Sequence, residues 1–232
     1  MNLKDNKYAQ YYLVREMMDT IETVRKFDPQ CSAKVSEAVA ACGHLLFSGE
    51  GSSRIMPAKN AIRKAMRWGV KEFIHTDGAH QCCDYKLDDY TVVLASNSGR
   101  TKETLMLANK LKADGNSRTF AITANENTPL EAAAAHTFVL KCGWENAVAA
   151  TKSVVEQVLF NEAVIRGLAG KEMNIEGLAE KVETALTLQV PEEIVNWAKN
   201  ANTIYFAGMN DGVAEELTLK TNEITRRKSD FL

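Results

Sequence analysis

Apolar side chains recur at Tyr12, Leu13, Met17, Ile21 and Val24 along residues 9–27, the three-and-four spacing of an amphipathic helix. Asp28-Pro29 closes it. A second helical stretch covers 32–42. The pattern then changes to "HLLFSG" (44–49), a short unbroken apolar run of the kind a buried strand makes. Residues 54–68 return to helical spacing and 70–75 to strand. The same plan repeats with "TVVLA" as a strand, a serine-rich turn, and a helix carrying Leu105, Leu107, Ala108 and Leu111 that ends near Gly115. "RTFAIT" is a further strand, 125–129 a turn, "PLEAAAA" a short helix with proline at its start, and "TFVL" another strand. Helix is expected over 147–168, 172–188 and 191–200.

Strands alternating with helices over short links predict βαβ units and an α/β fold with a parallel sheet covered on both faces. Ligands in such sheets bind beyond the carboxyl ends of the strands. "LASNSGRT" and "LLFSGEGSSR" both fall at such ends, so each strengthens the other as a candidate site. Residues 202–228 also look like a coarse second copy of 43–65, with an apolar strand, a glycine (Gly208 for Gly49), a polar loop and a helix. A lone strand and helix cannot bury a core. The expectation is a helical segment at 1–29, a main domain over 30–190, and the start of an incomplete second domain at 191–232.

Composition changes this picture little. Of 232 residues, 45% are hydrophobic and 25% charged, which is ordinary for a globular chain. A net charge of −2 gives no broad basic surface, so neither nucleic acid nor an anionic membrane is expected as a partner. No apolar run approaches the ~20 residues of a membrane span, and the polar N-terminus lacks the apolar core of a signal peptide, so a cytoplasmic location is expected. The five cysteines include no CxxC pair and read as reduced, mostly buried thiols. The four histidines show no ligand spacing, and no metal or other cofactor is expected.

The serine-rich turn could do two things. Ser96, Ser98 and Thr101 with Gly99 can offer hydroxyls and free N–H groups to a phosphate just before a helix, whose first turn has unpaired donors and a partial positive field. The same residues could be plain helix capping. Gly51, Ser52 and Ser53 lie in a second glycine turn that lacks the third glycine of a dinucleotide fingerprint, so it is either a tight turn or a substrate contact. Residues 145–152, "ENAVAATK", open the expected long helix with small side chains that let a ligand or a second helix come close. Glu216, Lys220 and Glu223 are spaced as a salt-bridged helix face, with Glu223 the candidate buried general base.

Three of these stretches, "FSGEGSS", "ASNSGRTKETL" and "NAVAATKSVVEQ", resemble in order and spacing the sugar isomerase (SIS) domain, and in particular the tandem-SIS phosphosugar isomerases such as the isomerase half of glucosamine-6-phosphate synthase. The resemblance runs over about residues 30–168, and "EELTLKTNEIT" carries it into a second SIS domain. It implies a three-layer αβα sandwich with a five-stranded parallel sheet. It also implies a sugar phosphate ligand held by Ser96, Ser98, Gly99 and Thr101 with Asn97 alongside. Gly51, Ser52 and Ser53 would line the ligand, and Val148 and Ala150 would lie near the sugar. Ala150 stands where the synthase carries a serine. Glu223 would move a proton between C1 and C2 through an enediol, with loss or transfer of an amine as a variation. The family's ring-opening histidine and C-terminal-tail lysine would fall beyond Leu232. Family members generally dimerise, so a homodimer or higher oligomer is implied. The alternative within the family is a phosphosugar-binding regulatory module without catalysis.

Overall fold

The structure is a computed structural model and describes residues 1–232. A short helix α1 (Asn6–Ala9) precedes α2 (Tyr12–Arg25) and α3 (Ala33–Cys42). Then follow β1 (His44–Gly49), α4 (Ile55–Trp68), β2 (Phe73–Gly78), α5 (Ala79–Cys82), β3 (Thr91–Ala95), α6 (Lys102–Ala113), β4 (Thr119–Thr123), α7 (Pro129–Ala133), β5 (His136–Val139) and α8 (Lys152–Leu168). The chain ends with α9 (Leu178–Thr187), α10 (Glu192–Asn200), β6 (Thr203–Phe206), α11 (Val213–Thr225) and β7 (Lys228–Phe231). Strands β1 to β5 form one parallel sheet in the order β2-β1-β3-β4-β5.

Alternate side chains of the central strands feed two separate cores, which explains why these strands read as unbroken apolar runs. Leu45, Phe47, Val93, Ala95, Phe120 and Ile122 face Val24, Val35, Val39, Ala58, Ala61, Phe160 and Val164 of α2, α3, α4 and α8. Leu46, Val92, Leu94 and Ala121 face Ala79, Leu107, Leu111 and Leu130 of α5, α6 and α7. The three-layer αβα sandwich with its five-stranded parallel sheet is therefore the observed architecture. No helix is long and apolar enough to cross a membrane.

Five expectations shift. The helix expected from residue 172 begins only at Leu178, after Gly177 in the left-handed conformation. The second strand begins at Phe73, not Val70, because Gly69 in the left-handed conformation ends α4 and the Val70 N–H is still tied back to the Ala65 carbonyl. The helix expected from residue 147 begins only at Lys152, because carboxylates capture the amides before it. Only Cys82 and Cys142 of the five thiols are buried; Cys31, Cys42 and Cys83 are partly covered. The C-terminal segment holds an added strand, β7, parallel to β6, so it is a βαβ unit and not a lone strand and helix. This unit leans on α4. The Lys59 ammonium pairs with Glu215, and a Cβ at Gly212 would lie 2.7 Å from the Met56 Cα.

Helices α4 and α8 are clamped by charge as well as by packing. The buried Glu162 on α8 accepts from Lys64 of α4 and, at 2.8 Å, from Arg166 Nε, whose guanidinium lies 4.9 Å from the Trp68 ring centroid. Burial alone would raise the Glu162 carboxyl, but Lys64 and Arg166 overrule it and hold it below the usual range. A depressed native pKa stabilises the fold above the unfolded value and loses that contribution as pH falls through the native one. Glu162→Gln is therefore expected to cost about 1–3 kcal/mol at neutral pH and to flatten the acid limb of the stability curve below about pH 4.5, measured by denaturant unfolding across pH.

Candidate functional site

The strand order places a topological switch point between β1 and β3. The chain leaves β1 toward β2 on one side and returns through β3 on the other, so the two following loops diverge at the carboxyl ends, the place where sheets of this kind receive ligands. The strands are drawn tight there. Gly49 pairs with Ala95, and a Cβ at residue 49 would sit 2.5 Å from the Ala95 carbonyl oxygen. Any side chain would push apart the two strand ends from which the loops spring.

The loop after β3 is a self-bonded turn. Ser96 is buried; its Oγ lies 2.8 Å from Thr101 Oγ1 and accepts the Thr101 N–H at 3.4 Å. Ser98 Oγ accepts the Arg100 N–H at 3.2 Å. Gly99 has φ +62°, and a Cβ there would lie 2.5 Å from Thr128, the N-cap of α7. The Asn97 carbonyl accepts from Ala124 N, Thr123 Oγ1 and Asn125 Nδ2, at 3.0, 3.2 and 3.1 Å, so the loop after β4 buttresses the turn. Two of the three hydroxyls expected to face a ligand thus also hold each other. Each retains further hydrogen-bonding capacity.

Thr101 occupies the N-cap of α6 but makes no side-chain cap, because its hydroxyl is turned to Ser96. The first intrahelical bond comes from Leu105 N, so the N–H groups of Lys102, Glu103 and Thr104 carry no protein bond, nor does that of Ser98. Together they form a row of open donors at the positive end of a helix, the setting that receives anions. Beside them the Asn97 Nδ2 donates at 2.9 Å to Glu145, which fixes its amide orientation and leaves Asn97 Oδ1 buried with no partner.

The loop after β1 forms a 3-10 turn over Gly51–Ser53, with Gly51 exposed and Ser52 and Ser53 half-buried. Glu50 ties it to the next strand end, accepting the Ala79 N–H at 2.9 Å. Asp77, at the end of β2, takes the Tyr85 hydroxyl at 2.5 Å; that bond, the Gly78 N–H and the charges of Arg54 and His75 hold its carboxyl below the usual range against the effect of burial.

The third stretch is irregular from Glu145 to Thr151, and carboxylates make it so. Glu145 accepts Thr151 N at 2.6 Å, Thr151 Oγ1 at 2.9 Å, Ser153 Oγ and Asn97 Nδ2. Glu16 of α2 accepts the N–H groups of Asn146 and Ala147. These bonds hold the chain out of helix until Lys152. Ala150 is half-buried and Val148 is 89% exposed. Sequence reasoning misses Glu145, Glu16 and Glu50, because no spacing in the chain marks them.

The structure thus brings 96–101 and 145–151 into direct contact and sets 51–53 across the switch point. Glu223 stands elsewhere, on α11, which packs against α4 and the β6–β7 pair. It is exposed and meets Lys220 Nζ at 3.2 Å, whereas Glu216 on the same helix is buried, so this face is only partly the solvated one its spacing suggests.

Comparison with known proteins agrees with this fold. The SIS domain family model matches residues 39–166, more than half of the chain, and the protein belongs to that family. Among solved structures, the C-terminal domain of glucosamine-fructose-6-phosphate aminotransferase from Francisella tularensis is similar over 98% of this chain and 71% of its own, with 20% identity and a TM-score of 0.73. A protein assigned as a phosphosugar isomerase from Silicibacter pomeroyi is similar over 94% and 70%, with 21% identity and a TM-score of 0.79. A glucosamine-6-phosphate deaminase from Thermotoga maritima is similar over 92% of this chain and 69% of its own, with 21% identity and a TM-score of 0.63. No curated protein matches the sequence.

Because Glu145 carries four bonds, Glu145→Gln is expected to lower stability by about 1–3 kcal/mol and to speed hydrogen exchange at the Thr151 amide, checked by thermal unfolding and exchange NMR.

Proposed function

We propose that the crevice between the loops after β1 and β3 binds a sugar phosphate, and that the protein is a phosphosugar isomerase or isomerising deaminase. One observation carries the binding half: a row of unbonded N–H groups at the start of α6 beside the partnerless Asn97 Oδ1, at the switch point of an SIS-family sheet. The phosphate would take the amides and the hydroxyls of Ser98 and Thr101. Asn97 Oδ1 would accept from a sugar hydroxyl or amine. Ser52 and Ser53 would line the opposite wall, and the 148–150 backbone would flank the sugar. Aldose and ketose phosphates share the pairing this requires, a dianion at one end and hydroxyls at the other.

For catalysis the reading assigns proton transfer to Glu223. The carboxylate would take the proton from C2 of an aldose and return it to C1, while the C1 oxygen gains a proton as the enediol forms and the C2 hydroxyl gives one up as it collapses to the ketose, with no change in net composition. To act so, Glu223 must leave Lys220 and be shielded from water. The βαβ unit of β6, α11 and β7 repeats the parallel β1–α4–β2 arrangement, which supports reading 191–232 as the opening of a second SIS-type unit that would supply the shielding. The present exposure of Glu223 favours the second reading, a phosphosugar-binding module without turnover.

Two measurements decide. Ser98→Ala combined with Thr101→Ala is expected to weaken hexose 6-phosphate binding about 10–100-fold by calorimetry; unchanged affinity overturns the cradle. In a turnover assay on hexose and hexosamine 6-phosphates, Glu223→Gln is expected to abolish conversion while leaving binding within about twofold. Binding without turnover in the wild type selects the binding module.

A further inference from the structure

Helix α2 packs against α8 and α9, outside the helices that touch the sheet, yet one of its buried residues is a carboxylate. Glu16 is 4% exposed, and its side chain reaches across 130 residues of sequence to the loop before α8. One oxygen accepts the Asn146 N–H at 2.5 Å, and the Ala147 N–H is shared between the two oxygens at 3.3 and 3.1 Å. Asp19, one turn later, meets Lys152 Nζ at 3.2 Å where α8 begins. The helix itself is fixed by Ile21 and Val24, and by Phe27 just beyond its end, which enter the same core as Phe160 and Val164.

The 145–151 segment is therefore gripped from two sides. Glu16 holds the amides of 146 and 147 from the α2 side; Glu145 holds 151, 153 and the Asn97 side chain from within. A carboxylate bonded to N–H groups in a low-dielectric setting is a stiff strut, because charge-assisted bonds are short and directional. We infer that Glu16 is a positioning residue for the sugar end of the site. It acts through the 145–151 loop, and the inference rests on the phosphosugar reading above. The phosphate end, built by residues 96–104, is buttressed by the β4 loop instead. The two ends of one ligand are thus set mainly by different parts of the chain, which meet at the bond from Asn97 Nδ2 to Glu145.

This division gives a readout that general destabilisation does not. Asn146 is exposed and Ala147 half-buried, so water can satisfy their amides once the carboxylate is gone, and the loop loses its fixed shape without collapse of the core. The test compares wild type with Glu16→Gln for two probes, inorganic phosphate alone and the hexose 6-phosphate that the wild type binds best. The variant is expected to bind the sugar phosphate about tenfold more weakly and inorganic phosphate within about twofold, with exchange at the 146 and 147 amides about tenfold faster. Unchanged sugar phosphate affinity overturns the inference, and so does equal weakening of both probes. Should Glu16→Gln fail to fold by circular dichroism, Glu16→Asp, too short to reach both amides, is expected to show the same selective loss. A wild type that binds neither probe overturns the phosphosugar reading and with it the substrate role of Glu16; exchange at 146 and 147 then decides separately whether Glu16 holds the loop.

Discussion

The close approach of Gly49 to Ala95 is the constraint on which the carboxyl end of the sheet depends. Those two residues pair where the strand order reverses, and the carbonyl of one occupies the space a side chain on the other would need. With the strand ends pinned together, the loops that leave them have fixed points of departure. The turn at 96–101 and the turn at 51–53 then leave from neighbouring strand ends, and the close packing of Gly99 on Thr128 and the bond from Asn97 to Glu145 add to the geometry set there.

Around this constraint the molecule divides its labour between its two cores. The face with α2, α3, α4 and α8 carries the charged clamp of Lys64, Glu162 and Arg166 and the carboxylates that shape the 145–151 loop. The face with α5, α6 and α7 carries the helix whose first turn is left uncapped. An uncapped first turn is a cost to an isolated helix. Here it is supported by Leu107, Ala108 and Leu111 packing on the sheet, so the open donors are held in place by burial further along the same helix.

Much of this is legible in the chain. Strands buried on both faces leave unbroken apolar runs, and "HLLFSG", "TVVLA" and "RTFAIT" announce β1, β3 and β4; β2 is a half-exposed edge strand, and its pattern points to a start three residues too early. The hydroxyl-rich turn stands out because its residue types and its place before a helix are local signals. The struts do not, since Glu16, Glu50 and Glu145 act on backbone amides far away in sequence or beyond the reach of helical spacing. The same carboxylates explain the late start of α8: small residues at 147–150 suit a helix, but amides captured by Glu16 and Glu145 cannot enter one. Membership of β7 in a parallel pair is equally hidden, because "KSDF" has neither the length nor the apolar content of a core strand.

In the proposed sugar phosphate complex, Asn97 Oδ1 would lend the site a selectivity that needs no added contact. The oxygen is buried by folding and gains no protein donor in return. A ligand hydroxyl or amine would satisfy the acceptor directly, whereas a deoxygenated analogue would leave it to water or without a partner in the complex. Discrimination of this kind comes from what the protein lacks, and it is steeper than any apolar pocket achieves against a molecule one atom smaller.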